Sequence, residues 1–233
     1  MINMIRKYAQ FRALLSDMDV KTDVPLKELT SFRIGGPAAF VVRPKTESEL
    51  CRALSAAEEA ELPFRILGNG TNVLAPDAGF PGLVLRLDAP FFPLLIDGCT
   101  VHAAAGESLA RAAHASVAAG LSGMEGLEGI PGTIGGACAM NAGAFGSEMK
   151  PILKRVRVYR GGEISDVTVR DEDLGHRRSV FAAPSAIVLR AELVLAPDDG
   201  HAAERTAEFS RRRREKQPLA LPSAGSVFKR PAG

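Results

Sequence analysis

The first half of the chain alternates between helix-like and strand-like patterns of apolar positions. Apolar residues recur every three or four positions between Ile5 and Met18, which predicts a helix. Thr46, followed three positions later by Glu49, is typical of a helix start with a capping box. The further elements predicted here are a strand at 38–43, a helix from 46 to about 62, strands at 64–67, 82–87 and 100–105, and an alanine-rich helix that Ser108 caps and that ends near 119.

The second half of the chain predicts a hairpin, a strand and a charged helix. Residues 155–160 and 163–169 alternate in polarity around a Gly-Gly turn, which is a strong hairpin signal. A strand is predicted at 186–195 and a helix at 202–216, and two prolines then end the helix within 217–222. Because strands and helices mix without a regular βα repeat, we predict an α+β fold with at least two subdomains.

A glycine-rich stretch separates these halves. Nine glycines fall in the 27 residues from Gly120 to Gly146, and those from Gly120 to Gly135 recur every third residue. The run is too short and too poor in proline for collagen, and so many glycines disfavour a helix. We therefore predict a tight irregular loop whose backbone approaches either a ligand, such as a phosphate bound by amide groups, or the protein core.

A second glycine-rich loop, at 68–72, follows a predicted strand. It lacks the third glycine of the dinucleotide-binding fingerprint because Val73 stands there, and the chain has no Gly-Lys pair for a P-loop. Two such loops suit a ligand with two phosphates or a long extended cofactor.

Composition and charge exclude several classes of protein. The 29 Lys and Arg residues nearly balance the 27 Asp and Glu residues, and there is no Trp, which argues against a nucleic-acid binder. The first residues lack the apolar core of a signal peptide, and no stretch approaches the ~18 apolar residues of a membrane span. Three dispersed cysteines predict a reduced, cytoplasmic protein without a thiolate metal site.

Five sequence blocks point to a specific family. In order, they are SFRIGG at 31–36, LGNGTN at 67–72, GIPGTIGGA at 129–137, NAGAFG at 141–146 and SAGSVFK at 223–229. Together they closely resemble the UDP-N-acetylenolpyruvoylglucosamine reductases, flavoenzymes of peptidoglycan precursor synthesis. The resemblance runs from about residue 30 to the end of the chain.

The resemblance implies a fold, a reaction and partners. The implied fold is the FAD-binding architecture of the vanillyl-alcohol oxidase type, in two subdomains. In the family, NADPH reduces FAD, and the reduced flavin passes a hydride to the enolpyruvyl double bond of a UDP-sugar, giving UDP-N-acetylmuramate. We expect a monomer with a UDP-sugar substrate and with no nucleic-acid, membrane or metal partner.

The resemblance also predicts the division of the chain. We expect an N-terminal helix and entry at 1–29, the FAD-binding domain at 30–197, and the incomplete start of a substrate-binding domain at 198–233. Family members continue beyond the SAGSVFK block and supply a catalytic glutamate there. We therefore expect a C-terminally truncated chain, and an FAD-binding remnant without full turnover stays an alternative.

Two catalytic residues are implied by the family motifs. Ser226 takes the position of the serine that donates a proton to the intermediate left by hydride addition. Arg177 takes the position of the catalytic arginine, although Leu174 and His176 replace the aromatic residues usual in that block. A turn serine and a surface arginine are the structural alternatives.

The resemblance assigns the remaining site residues to ligand binding. Lys216, which directly precedes the Gln-Pro pair, and Asn141 are expected to bind the substrate, whereas the arginines at 211–214 are weaker candidates. The residues expected to bind FAD are Gly68, Asn69, Gly70, Thr71, Asn72, Gly129, Ile130, Pro131, Gly132, Thr133, Gly135, Gly136, Ala142 and Gly143.

Two other functions compete with the reductase. A flavin oxidase of the wider FAD family would share the fold, and the SAGSVFK block argues against it. The arginine run at 211–214 would suit a nucleic-acid patch, although a solvated helix face is the more ordinary interpretation of such a run.

Overall fold

The computed structural model describes residues 2–183, 186–218, 220–223 and 225. Two compact units divide these residues, one formed by Met1–Phe91 with Pro222–Gly225 and the other by Phe92–Leu221. The predicted division at 1–29, 30–197 and 198–233 stays a prediction. No helix in the described ranges combines the length and the apolar character that crossing a lipid bilayer requires.

The first unit is a four-stranded sheet covered by two helices. Strand order is β1-β2-β4-β3, with β1 antiparallel to β2 and the other neighbours parallel. Tyr8 and Phe11 pack their rings against Phe40, with centroids 4.9 and 4.7 Å apart, and so attach the first helix to the sheet. The elements are α1 (Ile2–Leu14), β1 (Val20–Pro25), a 3-10 turn (Leu26–Glu28), β2 (Pro37–Val42), α2 (Glu47–Glu59), β3 (Phe64–Leu67) and β4 (Phe80–Arg86).

The predicted start of α2 is confirmed, with one difference in its cap. The Thr46 hydroxyl accepts a hydrogen bond from the Glu49 amide at 3.1 Å, as the motif predicts. The Glu49 carboxylate accepts from the Lys45 amide at 2.7 Å rather than from Thr46. Both bonds satisfy amides that would otherwise lack partners at this end of the helix.

The second unit is built on a five-stranded antiparallel sheet of order β11-β10-β14-β6-β5. Helices α3 and α4 bury their apolar faces in its core, where Leu109, Leu127 and Ile134 are fully buried. Its elements are β5 (Leu95–Asp97), β6 (Thr100–Ala104), α3 (Leu109–Ala118), β7 (Leu121–Ser122), a 3-10 turn (Glu125–Leu127), α4 (Ile134–Met140), β8 (Gly143–Ala144), β9 (Ser147–Glu148), α5 (Met149–Ile152), β10 (Leu153–Arg160), β11 (Glu163–Thr168), a 3-10 turn (Asp171–Asp173), β12 (Leu174–Gly175), β13 (Arg178–Ser179), a 3-10 turn (Val180–Ala182), β14 (Ala186–Val194), β15 (Ala196–Pro197) and α6 (Ala202–Lys216).

The hairpin and the last helix are confirmed. Arg160 pairs with Glu163 across Gly161 and Gly162, whose φ angles of 58° and 91° suit glycine in a two-residue turn. Helix α6 has the predicted bounds, Ala202–Lys216.

The prediction of one irregular loop through the glycine-rich stretch is wrong at α4. The Thr133 hydroxyl accepts from the Gly136 amide at 3.3 Å and caps this short helix. A Cβ on Gly135 would come within 2.8 Å of Ala105 Cβ. Glycine at 135 therefore allows the helix to pack closely against the chain after β6, which outweighs its poor helix propensity.

Candidate functional site

The 68–72 loop of the first unit folds back onto residues 29–31. Gly70 has a φ of +67°, and a Cβ there would overlap the Leu29 carbonyl oxygen and lie 2.9 Å from Thr30 Cα. The Ser31 amide donates to the Gly70 carbonyl at 3.1 Å. Close backbone contact thus requires glycine at position 70, and it fixes the shape of the loop.

Arg86 fixes the 29–31 segment, against which the 68–72 loop packs. Its Nη1 donates to the Leu29 carbonyl at 2.5 Å, and its Nε donates to the Asp88 carboxylate at 2.8 Å. The Arg86 side chain is only 11% exposed. A buried, charge-assisted bond therefore anchors the segment on which Gly70 rests.

The segment before Ser226 lies against the same loop. The Ser31 hydroxyl donates to the Ser223 carbonyl at 2.6 Å, and the Ser223 amide donates back to the Ser31 carbonyl at 3.2 Å. The position of a Cβ on Gly225 would be 3.8 Å from the Thr71 carbonyl oxygen. The structure thus brings together the predicted cofactor loop and the block that contains Ser226, while Ser226 itself lies outside the described residues.

In the second unit, the GIPGTIGGA block is tied to the start of α3. The Leu109 amide donates to the Gly132 carbonyl at 3.0 Å, and the Ile134 amide donates to the Glu107 carbonyl at 2.9 Å. Ser108 and Thr133 form a β-bridge between these two bonds. The predicted FAD-binding residues 129–136 therefore include a turn with fixed backbone and the first residues of α4.

Glu107 fixes the start of α3 in turn. It is 2% exposed, and its carboxylate accepts from the Ser108 amide at 2.7 Å and from Arg111 through two guanidinium nitrogens. The pKa of Arg111 is raised by this carboxylate. A buried acid paired on both oxygens holds the backbone against which the glycine-rich block packs.

Arg213 of α6 packs directly on Gly129. A Cβ on Gly129 would overlap the guanidinium and lie 2.5 Å from Arg213 Cδ. Burial lowers the pKa of Arg213, and the nearby Glu128 carboxylate works in the opposite direction. Among the described residues, nothing accepts a hydrogen bond from the buried Arg213 Nε.

This orphan donor tests whether the site fits FAD. A buried N–H without an acceptor is costly and is rare in native proteins. FAD carries carbonyl and pyrophosphate oxygens that accept such bonds, and the orphan lies against a predicted FAD-binding glycine. The residues present therefore fit a cofactor of this chemistry.

Phe145 joins the NAGAFG block to the same helix. Its ring stacks on Phe209 with centroids 4.9 Å apart and planes 5° from parallel. The guanidinium carbons of Arg212 and Arg213 lie 5.3 and 5.9 Å from the Phe145 centroid, within cation–π range. Helix α6 thus carries two of the predicted arginines next to both glycine-rich blocks of this unit.

Arg177 lies in the turn between β12 and β13, with a φ of +51°. Its Nη2 donates to the Gly143 carbonyl at 3.0 Å. Asn141 is fully buried. Its side-chain Nδ2 donates to the Gly175 carbonyl at 2.8 Å, and its side-chain Oδ1 accepts from the Lys150 backbone amide at 3.0 Å. Asn141 thus holds the turn that carries Arg177, while its predicted contact with substrate stays a prediction.

The positions of the other predicted site residues reveal less about ligand binding. Lys216 is the last residue of α6 and is exposed. The backbone of Ala142 is used within the fold, since its amide donates to Ala137 and its carbonyl accepts from Met149, both at 2.9 Å. No group of three potential metal-ligating side chains gathers anywhere in the described ranges.

Sequence reasoning did not separate Arg213 from its three neighbours, nor did it assign roles to Phe145 and Ser31. The arginine run is uniform, so only the rotation of α6 selects Arg213 for the contact with Gly129. Phe145 lies within a quoted block, and its φ of +51° is unusual for an aromatic residue.

Comparison with known proteins agrees with the fold. The FAD binding domain family matches residues 38–166. The UDP-N-acetylenolpyruvoylglucosamine reductase of Clostridioides difficile is 41% identical over 230 residues, which are 97% of this chain and 75% of that protein. Its counterpart in Alkaliphilus oremlandii is 39% identical over 231 residues, which are 98% of this chain and 76% of that protein.

Solved structures give the same result. The crystal structure of UDP-N-acetylenolpyruvylglucosamine reductase from Thermus caldophilus matches with a TM-score of 0.76 at 35% identity, covering 92% of this chain and 76% of that one. Cholesterol oxidase from Brevibacterium sterolicum matches with a TM-score of 0.55 at 16% identity, covering 78% of this chain and 38% of that one, which is a likeness of fold. The predicted α+β FAD-binding fold and its FAD cofactor are confirmed.

Proposed function

Because the chain belongs to the UDP-N-acetylenolpyruvoylglucosamine reductase family, we propose that it reduces the enolpyruvyl group of a UDP-sugar to a lactyl ether. It is an FAD-dependent oxidoreductase, and NADPH is the hydride donor. The product would be UDP-N-acetylmuramate, a precursor of peptidoglycan.

The contact between the 68–72 loop and the segment before Ser226 carries this proposal. Ser223 pairs with Ser31 at 2.6 and 3.2 Å, and Ser31 pairs with Gly70 at 3.1 Å. A hydride transfer followed by protonation needs the cofactor and the proton donor at the same carbon–carbon double bond. The contact supports the proposal by bringing Ser223 and Gly225, the described residues nearest Ser226 in the chain, to the predicted cofactor loop.

The glycine-rich blocks at 68–72 and 129–136 are each proposed to contribute contacts to FAD. When bound, FAD would supply the hydride transfer from NADPH to the terminal carbon of the enolpyruvyl double bond. Arg213 would donate its orphan Nε hydrogen to a cofactor oxygen, next to Gly129. The 68–72 loop would present backbone groups, because Gly70 has no side chain to obstruct them.

Ser226 is proposed to complete the reaction. Addition of hydride to the terminal carbon leaves an electron pair on the carbon beside the carboxylate. The Ser226 O–H bond breaks, its proton forms the new C–H bond at that carbon, and the serine oxygen then regains a proton from solvent. A serine hydroxyl is a weak acid, so it can serve here only because the intermediate is strongly basic.

Arg177 and Lys216 are proposed to bind the anionic groups of the substrate. A guanidinium has five N–H donors, and the bond from Arg177 to the Gly143 carbonyl uses one of them, so others are proposed to bind the substrate carboxylate. Positive charge at that point stabilises the negative charge that develops during hydride addition. Lys216, exposed at the end of α6, would pair with a phosphate of the UDP group.

Half-reactions separate these roles experimentally. Ser226→Ala should leave anaerobic reduction of the bound flavin by NADPH unchanged and should abolish formation of the lactyl ether, measured by mass spectrometry. Ser55→Ala, at an exposed position of α2, is the matched control and should retain both steps. Equal loss of both steps in Ser226→Ala would contradict its role as proton donor, and unchanged product formation would make it a turn serine.

A further inference from the structure

Glu125 attaches the first half of helix α6 to the 125–129 segment. One oxygen of its carboxylate accepts from two guanidinium nitrogens of Arg205, at 2.8 and 3.1 Å, and from the Ser122 hydroxyl at 2.8 Å. The other oxygen accepts from the Gly123 amide at 2.6 Å. Glu125 is 5% exposed, so its charge is buried and both of its oxygens have partners. A buried acid that is bonded in this way favours one position of the helix against the segment.

Glu128 attaches the second half of the helix. One oxygen of its carboxylate accepts from the Ser210 hydroxyl of α6, and the other lies 3.0 Å from Nε2 of His114 on α3. The Glu128 side chain is largely buried, with 16% of its surface exposed. Because Ser210 is five residues after Arg205, the two acids hold the helix at points more than one turn apart. Two such attachments oppose rotation of the helix about its axis, which one attachment would permit.

The rotation of α6 that these acids favour places Arg213 on Gly129. Arg213 is eight residues after Arg205 and therefore on the same side of the helix. The position of a Cβ on Gly129 is 2.5 Å from Arg213 Cδ. No described residue accepts a hydrogen bond from the buried Arg213 Nε, which is a cost that rotation of the helix would relieve. The contact therefore has to be held by other interactions, and the two attachments supply them.

We infer that Glu125 and Glu128 are positioning residues for the cofactor, acting through Arg213. This inference rests on the proposed function, because it takes Arg213 as a donor to a cofactor oxygen. Neither carboxylate is proposed to contact FAD itself; each holds α6 so that the Arg213 donor is in place before FAD binds. A donor that is already in place loses less freedom on binding, which strengthens the interaction. Loss of either attachment should therefore speed FAD release only while Arg213 is present.

A double-mutant cycle on FAD release tests this coupling. FAD-loaded protein is diluted into cofactor-free buffer, and the rising fluorescence of the freed flavin gives the dissociation rate. Glu128→Ala and Ser210→Ala remove the same attachment from its two sides, and each should speed release roughly three- to tenfold, the effect of losing one hydrogen bond. Arg205→Ala, which removes the attachment at Glu125, should act in the same direction. Arg213→Met should speed release at least as much, and adding Glu128→Ala to it should change the rate less than about twofold.

Two further variants distinguish positioning from a general loss of structure. Glu128→Gln retains an oxygen that accepts from Ser210, so its release rate should stay within about twofold of the wild type. Glu208→Ala is the matched control on the exposed side of α6, where it removes only an ion pair with Arg211 within the helix, at 2.8 Å. It should release FAD at the wild-type rate. Should Glu128→Ala fail to fold, Ser210→Ala takes its place in the cycle.

The outcomes separate this inference from the proposed function. Unchanged FAD release in Arg213→Met would overturn the proposed contact of Arg213 with FAD, and this inference with it. Faster release in Arg213→Met, with unchanged release in Ser210→Ala and Arg205→Ala, would overturn only the positioning role. Effects of Glu128→Ala and Arg213→Met that add in full would also overturn it, because the acid would then act independently. The expected release rates in a protein that does not reduce an enolpyruvyl UDP-sugar would overturn the proposed reaction and support the positioning role.

Discussion

The backbone contact at Gly70 makes a sharp prediction about stability. Gly70→Ala places a methyl group where the Leu29 carbonyl oxygen lies, 2.9 Å from Thr30 Cα, at a φ of +67°. The left-handed conformation alone costs an alanine about 1–2 kcal/mol. Forcing two backbone segments apart adds about 1–3 kcal/mol, as overpacking does elsewhere. The expected loss is therefore about 2–5 kcal/mol of the free energy of unfolding, a large share of the 5–15 kcal/mol typical of a domain.

Gly120→Ala is the matched control for this prediction. Gly120 has a φ of +74° but no atom within 4 Å of its Cβ position, so it carries the conformational cost without the overlap. Urea unfolding followed by circular dichroism should give a loss of about 1–2 kcal/mol for the control. FAD content after gel filtration should fall in Gly70→Ala only. Equal losses of stability in the two variants would refute the reasoning, because the backbone overlap would then cost nothing.

Two other regions give further predictions. Gly129→Ala should displace the guanidinium packed there and weaken FAD binding roughly tenfold in a fluorescence titration, whereas Ser55→Ala, at an exposed position of α2, should bind FAD normally; equal affinities would contradict the role of that guanidinium. Although burial raises the pKa of Glu125, hydrogen bonds from its own amide, Arg205 and Gly123 hold it below its ordinary value. Its contribution to stability is therefore present above about pH 4.5 and is lost as the pH falls through the lowered pKa. Arg205→Ala should lower the free energy of unfolding by about 1–3 kcal/mol at pH 7, a range discounted because the arginine is partly exposed. It should also weaken the pH dependence of the urea midpoint below about pH 4.5. An unchanged pH profile would exclude this linkage.

The regular elements with strong local signals were predictable from the sequence. Helices α2 and α3 have side-chain caps at Thr46 and Ser108, and the β10–β11 hairpin has its two-glycine turn. In each case the signal lies within a few residues, so no knowledge of distant contacts is needed.

Elements that depend on distant contacts were not predictable. Helix α4 contains Gly135, which propensity disfavours, and it forms because it packs against Ala105. Strand β1 is a mostly exposed edge strand with no apolar alternation, and pairing with β2 defines it. Tertiary packing outweighs local preference in both cases.

The candidate site divides in the same way. Glycine-rich blocks and the family motifs indicated which residues to consider, including Gly70 and Gly129. The bridge between Ser31 and Ser223 spans 192 residues and uses backbone atoms on one side, so side-chain identity gives little sign of it. Likewise, only the packing of α6 distinguishes Arg213 as the residue with a buried, unpaired donor among the described residues.

The central claim is that this chain passes hydride from NADPH through FAD to an enolpyruvyl UDP-sugar. The most direct test is to reduce the FAD-loaded wild-type protein anaerobically with one equivalent of NADPH and then add the enolpyruvyl ether of UDP-N-acetylglucosamine. We predict that the absorbance of oxidised flavin returns and that one lactyl ether forms per flavin. Flavin that stays reduced in the presence of this substrate, and is reoxidised only when oxygen is admitted, would contradict it.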